Sequence, residues 1–300
     1  MSLDDDSSPK LERGSLAIGV IILNYNGLED TMRCIESVRT SEGVSARIIM
    51  IDNASTDGSC EALKKSEQDL NIIQNPRNFG FAGGMNAGLR RAIEEQLQYA
   101  VLLNNDVVLE PGLLRELVAF ADGTPEAAIV GPRIVRLDSP TDNQFAWQDG
   151  VREPLDTIDL SGSAFLARLP ALKAVGLFDP VYFMYWEEKD LFERCVRAGF
   201  RTVYLPTQAR ALHKIGASTA KLPGLQEYFM IRNGFIFIRR YKGVRWLLKH
   251  LIGSAISVLR PDNTRLRVAA RLRGLRDGFK ELLREEPAGL PARARQGEQL

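Results

Sequence analysis

The chain has 300 residues, 45% of them hydrophobic and 26% charged, with a formal net charge of +1. That length suits one large domain or a domain with an appendage, and the composition is ordinary for a soluble globular protein. The near-neutral balance argues against a general nucleic-acid binder, and no apolar run reaches the roughly 18–20 residues that a spanning helix needs.

The start is polar, carries Asp4, Asp5 and Asp6, and shows no signal-peptide pattern. Residues 1–14 are therefore expected to be disordered. Strand and helix patterns then alternate. Leu16 to Leu23 reads as a strand, Thr31 to Val38 as a helix, Arg47 to Ile51 as a strand, and Ser59 to Ser66 as a helix. Asn71 to Gln74 is a short strand, followed by a helix from about Gly83 to Gln96, a strand over Tyr99 to Leu103, and a helix over Gly112 to Phe120. A strand over Ile129 to Ile134 closes the series. Such alternation predicts βαβ units around a mostly parallel sheet flanked by helices.

Residues 136–158 are polar and irregular, and a loop of that length in a compact domain is usually functional. Cys34, Cys60 and Cys195 are widely spaced with no CxxC, as expected of reduced, partly buried thiols in a cytosolic protein. From about Gln226 the character changes. Between Tyr228 and Glu286, fourteen basic residues face five acidic ones, a balance of +9, while Trp246, Leu247, Leu248, Leu251 and Ile252 supply an apolar side. Residues 226–300 therefore form a basic, helical C-terminal extension to a domain spanning 15–225. As a solvated appendage or an oligomer interface this extension needs no ligand; as a surface docked on anionic lipid it makes a peripheral membrane contact.

Four segments at strand ends carry the chemistry, because parallel α/β sheets bind ligands at the carboxyl ends of their strands. They are Asn24-Tyr25-Asn26, the stretch from Asp52 to Ser59 (DNASTDGS), the stretch from Asn75 to Asn86 (NPRNFGFAGGMN), and Asn104-Asn105-Asp106. An acid closing a strand, such as Asp52, can accept hydrogen bonds from a base imide or a ribose hydroxyl, and Asn53 and Ser55 suit the turn that follows. The glycines around Gly83 permit close backbone approach before a helix N-terminus, a ready anion site. Arg77 and Asn78 could contact a nucleotide. Asp106, just past a buried strand, is the first candidate to hold a metal against a phosphorylated substrate. Each segment alone is as well explained by turns and helix caps; their shared position at one sheet edge makes coincidence a poor account.

These segments, in order, together with SGSAFLARLPALKAVGLFDPVYFMYWEEKDLFERCVRAGF and LHKIGAST, resemble the family 2 inverting glycosyltransferases, most of all their rhamnosyltransferase-like branch. The resemblance covers roughly residues 16–235. It implies a GT-A fold, a nucleotide-sugar donor, Mg²⁺ or Mn²⁺, and a single-displacement transfer to a saccharide or lipid-linked saccharide acceptor. Carried over residue by residue, Asn24, Tyr25, Asn26, Asp52, Asn53, Ser55, Arg77, Asn78, Gly83, Asn86, Asn104 and Asn105 would bind the donor. Asp106 and His213 would hold the metal. Ser161, Gly162, Ser163 and Trp186 would line the sugar or acceptor pocket. The acceptor hydroxyl must lose a proton, so a general base is required; the family's Glu-Asp-x-Asp pattern falls on Glu187-Glu188-Lys189-Asp190, making Glu188 the candidate and Glu187 the alternative. The chain departs from the family at its Asp-x-Asp-like triplet, where Asn104 and Asn105 leave Asp106 as the one carboxylate. Arg232-Asn233 also recurs in this branch, which implies that part of the extension packs on the catalytic domain.

The resemblance places the protein in cell-surface polysaccharide synthesis, in the cytoplasm and, if the extension docks, at the inner face of the plasma membrane. Two other readings stay open: a catalytically silent sugar-nucleotide-binding protein, and a nucleotidyltransferase. The second lacks a glycine- and basic-rich phosphate loop after the first strand, where Asn24-Tyr25-Asn26-Gly27 stands. No GxGxxG follows that strand either, which disfavours a dehydrogenase.

Overall fold

The computed structural model describes residues 17–67, 70–214, 224–259 and 264–284. The segment 1–14, the tail from Pro287 and positions 215–219 of the LHKIGAST stretch lie outside the described residues. The chain runs β1 (Ala17–Asn24), α1 (Leu28–Arg39), β2 (Ser45–Asp52), α2 (Ser59–Ser66), β3 (Asn71–Gln74), α3 (Gly80–Glu94), β4 (Tyr99–Asn104), β5 (Val107–Leu109), α4 (Leu113–Gly123), β6 (Ala127–Gly131) and β7 (Ile134–Arg136). It continues with β8 (Leu155–Asp156), β9 (Ala164–Arg168), α5 (Leu169–Val175), α6 (Glu187–Arg197), β10 (Arg201–Tyr204), β11 (Ala211–His213), α7 (Leu225–Tyr241), α8 (Val244–Val258) and α9 (Arg265–Leu283).

Eight strands form one sheet in the order β3-β2-β1-β4-β9-β6-β10-β8. Strands β3, β2, β1, β4, β6 and β10 point one way, while β9 and β8 run against their neighbours. Strand alternation divides the core between the two faces. Ile18, Val20 and Ile22 join α1 and α4 side chains on one face, and Ile21, Leu102 and Phe165 join those of α3, α5 and α6 on the other. Helix α3 lies unusually close to β1 because it carries glycines at the contact. A Cβ at Gly84 would come within 2.5 Å of Leu23, and one at Gly88 would collide with Ile21.

Several expected boundaries move. Helix α1 starts three residues early, at Leu28, with Glu29 and Asp30 in its first turn where acids complement the helix dipole. Helix α3 starts at Gly80, so Gly83 lies inside the helix rather than ahead of it. The single strand expected over Ile129 to Ile134 is two strands, since Pro132 cannot donate to a ladder. The second piece, β7, belongs to a separate three-stranded sheet of order β5-β11-β7. That small sheet has a direct consequence. Pairing His213 with Val107 places the histidine beside Asp106, the residue preceding β5.

The C-terminal helices pack onto the sheet domain through α7. Ile236 and Phe237 form a small core with Tyr182, and Arg240 and Tyr241 both bond the buried Asp190 of α6, at 3.0 and 2.8 Å. Asp190 also pairs with Arg194 at 2.8 Å, the helix-internal partner expected for it. Helix α9 lies against α7 at two glycines, Gly274 and Gly278. His250, which matched no motif, is half-buried against Gly234 and Phe235 with its Nε2 at 2.9 Å from the Ile231 carbonyl oxygen. All three cysteines are buried and free. Among the described residues, no helix is long and apolar enough to cross a membrane.

Candidate functional site

The carboxyl edge of the sheet is knitted together by asparagine side chains. Asn24, wholly buried at the end of β1, donates to Asp52 Oδ1 (3.0 Å), Ser55 Oγ (3.0 Å) and Ser59 Oγ (2.9 Å), and accepts from Thr31 Oγ1 (3.0 Å). Asp52 is likewise inaccessible, and its Oδ2 accepts from the Ser55 amide at 3.1 Å. Asn53 donates to Asn78 Oδ1 and the Gly80 carbonyl, and accepts from Asn75 Nδ2 and the Phe79 amide. Asn86 bonds both the amide and the carbonyl of Phe178, 92 residues away. Asn24, Asp52, Asn53 and Asn86, the residues expected to bind the donor, thus have hydrogen-bond partners inside the protein, as buried polar groups need. These bonds tie the loops of the sheet edge together.

At the start of α3, where an anion site was expected, backbone amides likewise bond within the protein. The amides of Phe79, Gly80 and Ala82 donate to Asn53, Asn78 and the Phe183 carbonyl respectively. Gly80 has φ of +72°, and a Cβ there would overlap Phe183, so this end of the helix is closed by protein. Gly83, one turn in, meets Phe79 rather than open space. Asn105 also turns inward, donating to Thr31 Oγ1 at 3.0 Å. The rim left to a ligand comprises Tyr25 and Arg77, both exposed, and the half-buried Asn26, Ser55, Asn78 and Asn104. Arg77 lies over the Phe79 ring at 5.0 Å.

Asp106 and His213 do come together. His213 Nε2 is 3.4 Å from Asp106 Oδ1, and both side chains are largely buried. A residue that sequence reasoning missed defines the state of this histidine. Gln144, from the long loop, directs its Nε2 at Ser161 Oγ (3.2 Å) and its Oε1 at His213 Nδ1 (3.1 Å). An amide oxygen only accepts, so Nδ1 is the ring nitrogen that donates to Gln144, and Nε2 is the one turned to the carboxylate. An imidazole nitrogen and a carboxylate oxygen 3.4 Å apart are close enough to share one cation. No group of three or more His, Cys, Asp or Glu able to hold a metal occurs among the described residues. Two ligands nonetheless fit Mg²⁺ or Mn²⁺ arriving with a diphosphate, since such ions are commonly held by one or two protein groups plus phosphate oxygens and water.

Ser161-Gly162-Ser163 joins this pair to the acids of α6. Ser161 and Ser163 share a 2.8 Å hydroxyl contact, and the Ser163 carbonyl accepts from the Asn104 amide at 2.9 Å. Gly162 abuts Glu188, where a Cβ would lie 3.4 Å from Glu188 Cγ. Glu187 and Glu188 open α6, and the Oε2 atom of each is buried without a hydrogen-bond partner. Burial is the main cause that raises both carboxyls above the ordinary range; for Glu187, pushed well above it, the neighbouring Glu188 charge adds to the effect. Buried, unpartnered carboxyls with raised pKa values are what a proton-transfer site requires.

The approach to these acids is conformationally strained. Phe183, Tyr185 and Trp186 have φ of +62°, +65° and +74°, a region costing of order 1–3 kcal/mol per non-glycine residue. Asn233 of α7, fully buried, holds them there: its Nδ2 donates to the carbonyls of Tyr182, Met184 and Tyr185 at 2.8, 2.8 and 2.9 Å. Trp186 hydrogen-bonds the Met230 carbonyl and packs on Phe237 and His250. Trp186, expected in the sugar or acceptor pocket, thus also forms a support between α6 and the C-terminal helices.

This fold and edge define a GT-A glycosyltransferase. Solved structures share the architecture: Staphylococcus aureus TarS 1–349 (TM-score 0.58, 15% identity, 88% of this chain and 71% of that one) and the mannosyltransferase PcManGT from Pyrobaculum calidifontis in complex with GDP-Man and Mn²⁺ (0.57, 14%, 89% and 74%). Residues 19–185 match glycosyl transferase family 2, and the chain belongs to that family. Its relatives include the N-acetylglucosaminyl-diphospho-decaprenol L-rhamnosyltransferase of Mycobacterium tuberculosis, 26% identical over 77% of this chain and 88% of the relative. The dTDP-rhamnosyl transferase RfbF of Shigella flexneri is 21% identical, over 64% and 71%. The protein is a glycosyltransferase similar to rhamnosyltransferases of polysaccharide synthesis.

Proposed function

We propose that the chain moves rhamnose or a related hexose from a dTDP- or UDP-sugar, by metal-dependent inversion, to a saccharide or lipid-linked saccharide acceptor. The observation that carries this reading is the Asp106–His213 pair, joined through Ser161-Gly162-Ser163 to the buried carboxyl of Glu188. Mg²⁺ or Mn²⁺ at the pair would supply charge to offset that of the departing diphosphate. Glu188 takes the acceptor proton on Oε2, and Glu187 is its alternate. Asp190 and Asn233 hold the turn that aims these acids. Tyr25 offers a ring to the base and Arg77 a cation to the nucleotide. One base with no carboxylate opposite it as nucleophile gives inversion. The names of the Mycobacterium and Shigella relatives support rhamnose and dTDP, and the former supports a lipid-linked acceptor.

A thermal-shift screen of dTDP-, UDP- and GDP-sugars with Mn²⁺ tests the donor assignment. Ligand at about 100 times its Kd should stabilise the protein by about 2.7 kcal/mol. A dTDP- or UDP-sugar is expected to give the largest rise in Tm; the absence of any shift would remove the donor site. The part played by Gln144 is separately testable. Gln144→Leu should weaken Mn²⁺ binding in the presence of UDP by about 10–100-fold, the usual cost of losing a group that orients a metal-bound histidine. Unchanged affinity, read by the paramagnetic resonance of free Mn²⁺, would mean that His213 is no ligand. A catalytically silent sugar-nucleotide binder is the second reading, favoured by Asn104 and Asn105 standing where carboxylates are expected.

A further inference from the structure

The large apolar side chains left in solvent are concentrated in one place. Among the described residues fourteen are exposed, and ten of them lie between Val244 and Leu283, on α8 and α9. On α8 they follow the helical repeat: Val244, Leu248, Ile252 and Ile256 step by four residues, and Leu259 continues the row. All five are at least 53% exposed, and the one buried residue of α8 is Ser254. Arg245 and Lys249 flank this row in solvent. On α9, Leu272, Phe279 and Leu283 share the exposed surface with Arg265, Arg273, Arg276, Lys280 and Arg284. From Val244 to Arg284 the described residues hold nine Lys and Arg against two acids, Asp277 and Glu281, both already in ion pairs.

An apolar row set among cations restricts what can cover it. A second copy of the chain would bring one cationic face against another, and like charges across an interface are unfavourable. Nucleic acid would neutralise the cations but leave the apolar row in water. An anionic bilayer meets both demands, because acyl chains accept the apolar face and headgroup charge attracts the Lys and Arg around it.

We propose that α8 and α9 form a docking surface for anionic lipid, lying in the plane of the membrane rather than across it. Its position fits the reaction proposed above. His250 of α8 packs edge-on to Trp186, at 6.2 Å between ring centres, and Trp186 immediately precedes Glu187 and Glu188. The docking helix and the acids thus rest on one shared support, so a membrane-held acceptor would be presented beside the base. The use of such an acceptor rests on the proposed function; attachment to lipid does not.

The test is co-sedimentation of the full chain with vesicles of phosphatidylcholine alone and of an equal mixture with phosphatidylglycerol. Binding is expected to the mixed vesicles only, and to weaken with added salt. Leu248→Asp combined with Ile252→Asp should abolish it. Arg273→Ser combined with Arg276→Ser and Lys280→Ser, which leaves the apolar row untouched, should weaken it at least about tenfold. Asp106→Ala should bind as the unaltered chain does, so failure of docking and failure of the proposed chemistry are told apart. Equal binding to both vesicle types, no binding to either, or unchanged binding by both multiple variants would overturn the proposal. So would a dimer in light scattering that Leu248→Asp dissociates, in a chain that ignores vesicles.

Discussion

Replacing Glu188 with glutamine should abolish sugar transfer while leaving the protein folded. The amide keeps the size of the side chain against Gly162 but cannot accept the acceptor proton. General-base catalysis contributes about 10²–10⁴-fold, and kcat should fall by that much with donor binding intact. The stability change has a definite sign. Burial raises the folded-state pKa of Glu188, so the native state prefers the neutral carboxyl. That contribution is fully present below the unfolded-state pKa and is lost as pH rises through the raised folded value. Glutamine carries no charge to desolvate, so the variant should melt no lower than the parent at acid pH and higher at alkaline pH. The pH–rate profile of the parent should likewise rise through the raised pKa of the glutamate pair, since a base works only when ionised. Near-parental turnover in Glu188→Gln would transfer the role to Glu187.

Asp106→Ala should have a comparable effect through a different quantity. Without the carboxylate, His213 is left as a lone neutral ligand, too little to hold Mg²⁺ or Mn²⁺ against a diphosphate. Metal assistance to a leaving phosphate is worth several kcal/mol, and each 1.36 kcal/mol is a factor of ten, so turnover should drop by roughly 10³-fold or more. The fold should survive, because the small sheet is held by backbone pairing of β5, β7 and β11 rather than by this side chain. Isothermal titration of Mn²⁺ in the presence of UDP should show the metal site weakened. Full activity with unaltered Mn²⁺ affinity would take Asp106 out of the account.

What could be read in advance followed from local pattern. Asp106 stood out because it follows the buried run Tyr99–Leu103 at the carboxyl edge of the sheet, where parallel α/β folds bind ligands. The βαβ order, the acids opening α6 and the cationic C-terminal region were legible for similar reasons of period and charge. The bonding of the asparagines was not legible, because the same amide serves as ligand or as staple. The partners of Asn24, Asn53 and Asn86 lie up to 92 residues away, beyond the reach of local pattern. The three-residue strands β5 and β11 carry no period, and their pairing joins distant segments. Gln144 sits in irregular sequence 69 residues from His213, so only the fold brings them together. For Asn233 the family resemblance implied packing on the catalytic domain, yet its grip on three carbonyls of a strained turn could not be read from residue type.

The central claim is that this edge of the sheet performs metal-dependent transfer, and it is met most directly by measuring nucleoside diphosphate released from dTDP-rhamnose. Using N-acetylglucosaminyl-diphospho-polyprenol as acceptor, release should depend on the acceptor, require Mg²⁺ or Mn²⁺, and stop on chelation and in Glu188→Gln. Donor binding without release, repeated across dTDP-, UDP- and GDP-sugars with both metals, would contradict the account and leave a silent binding protein.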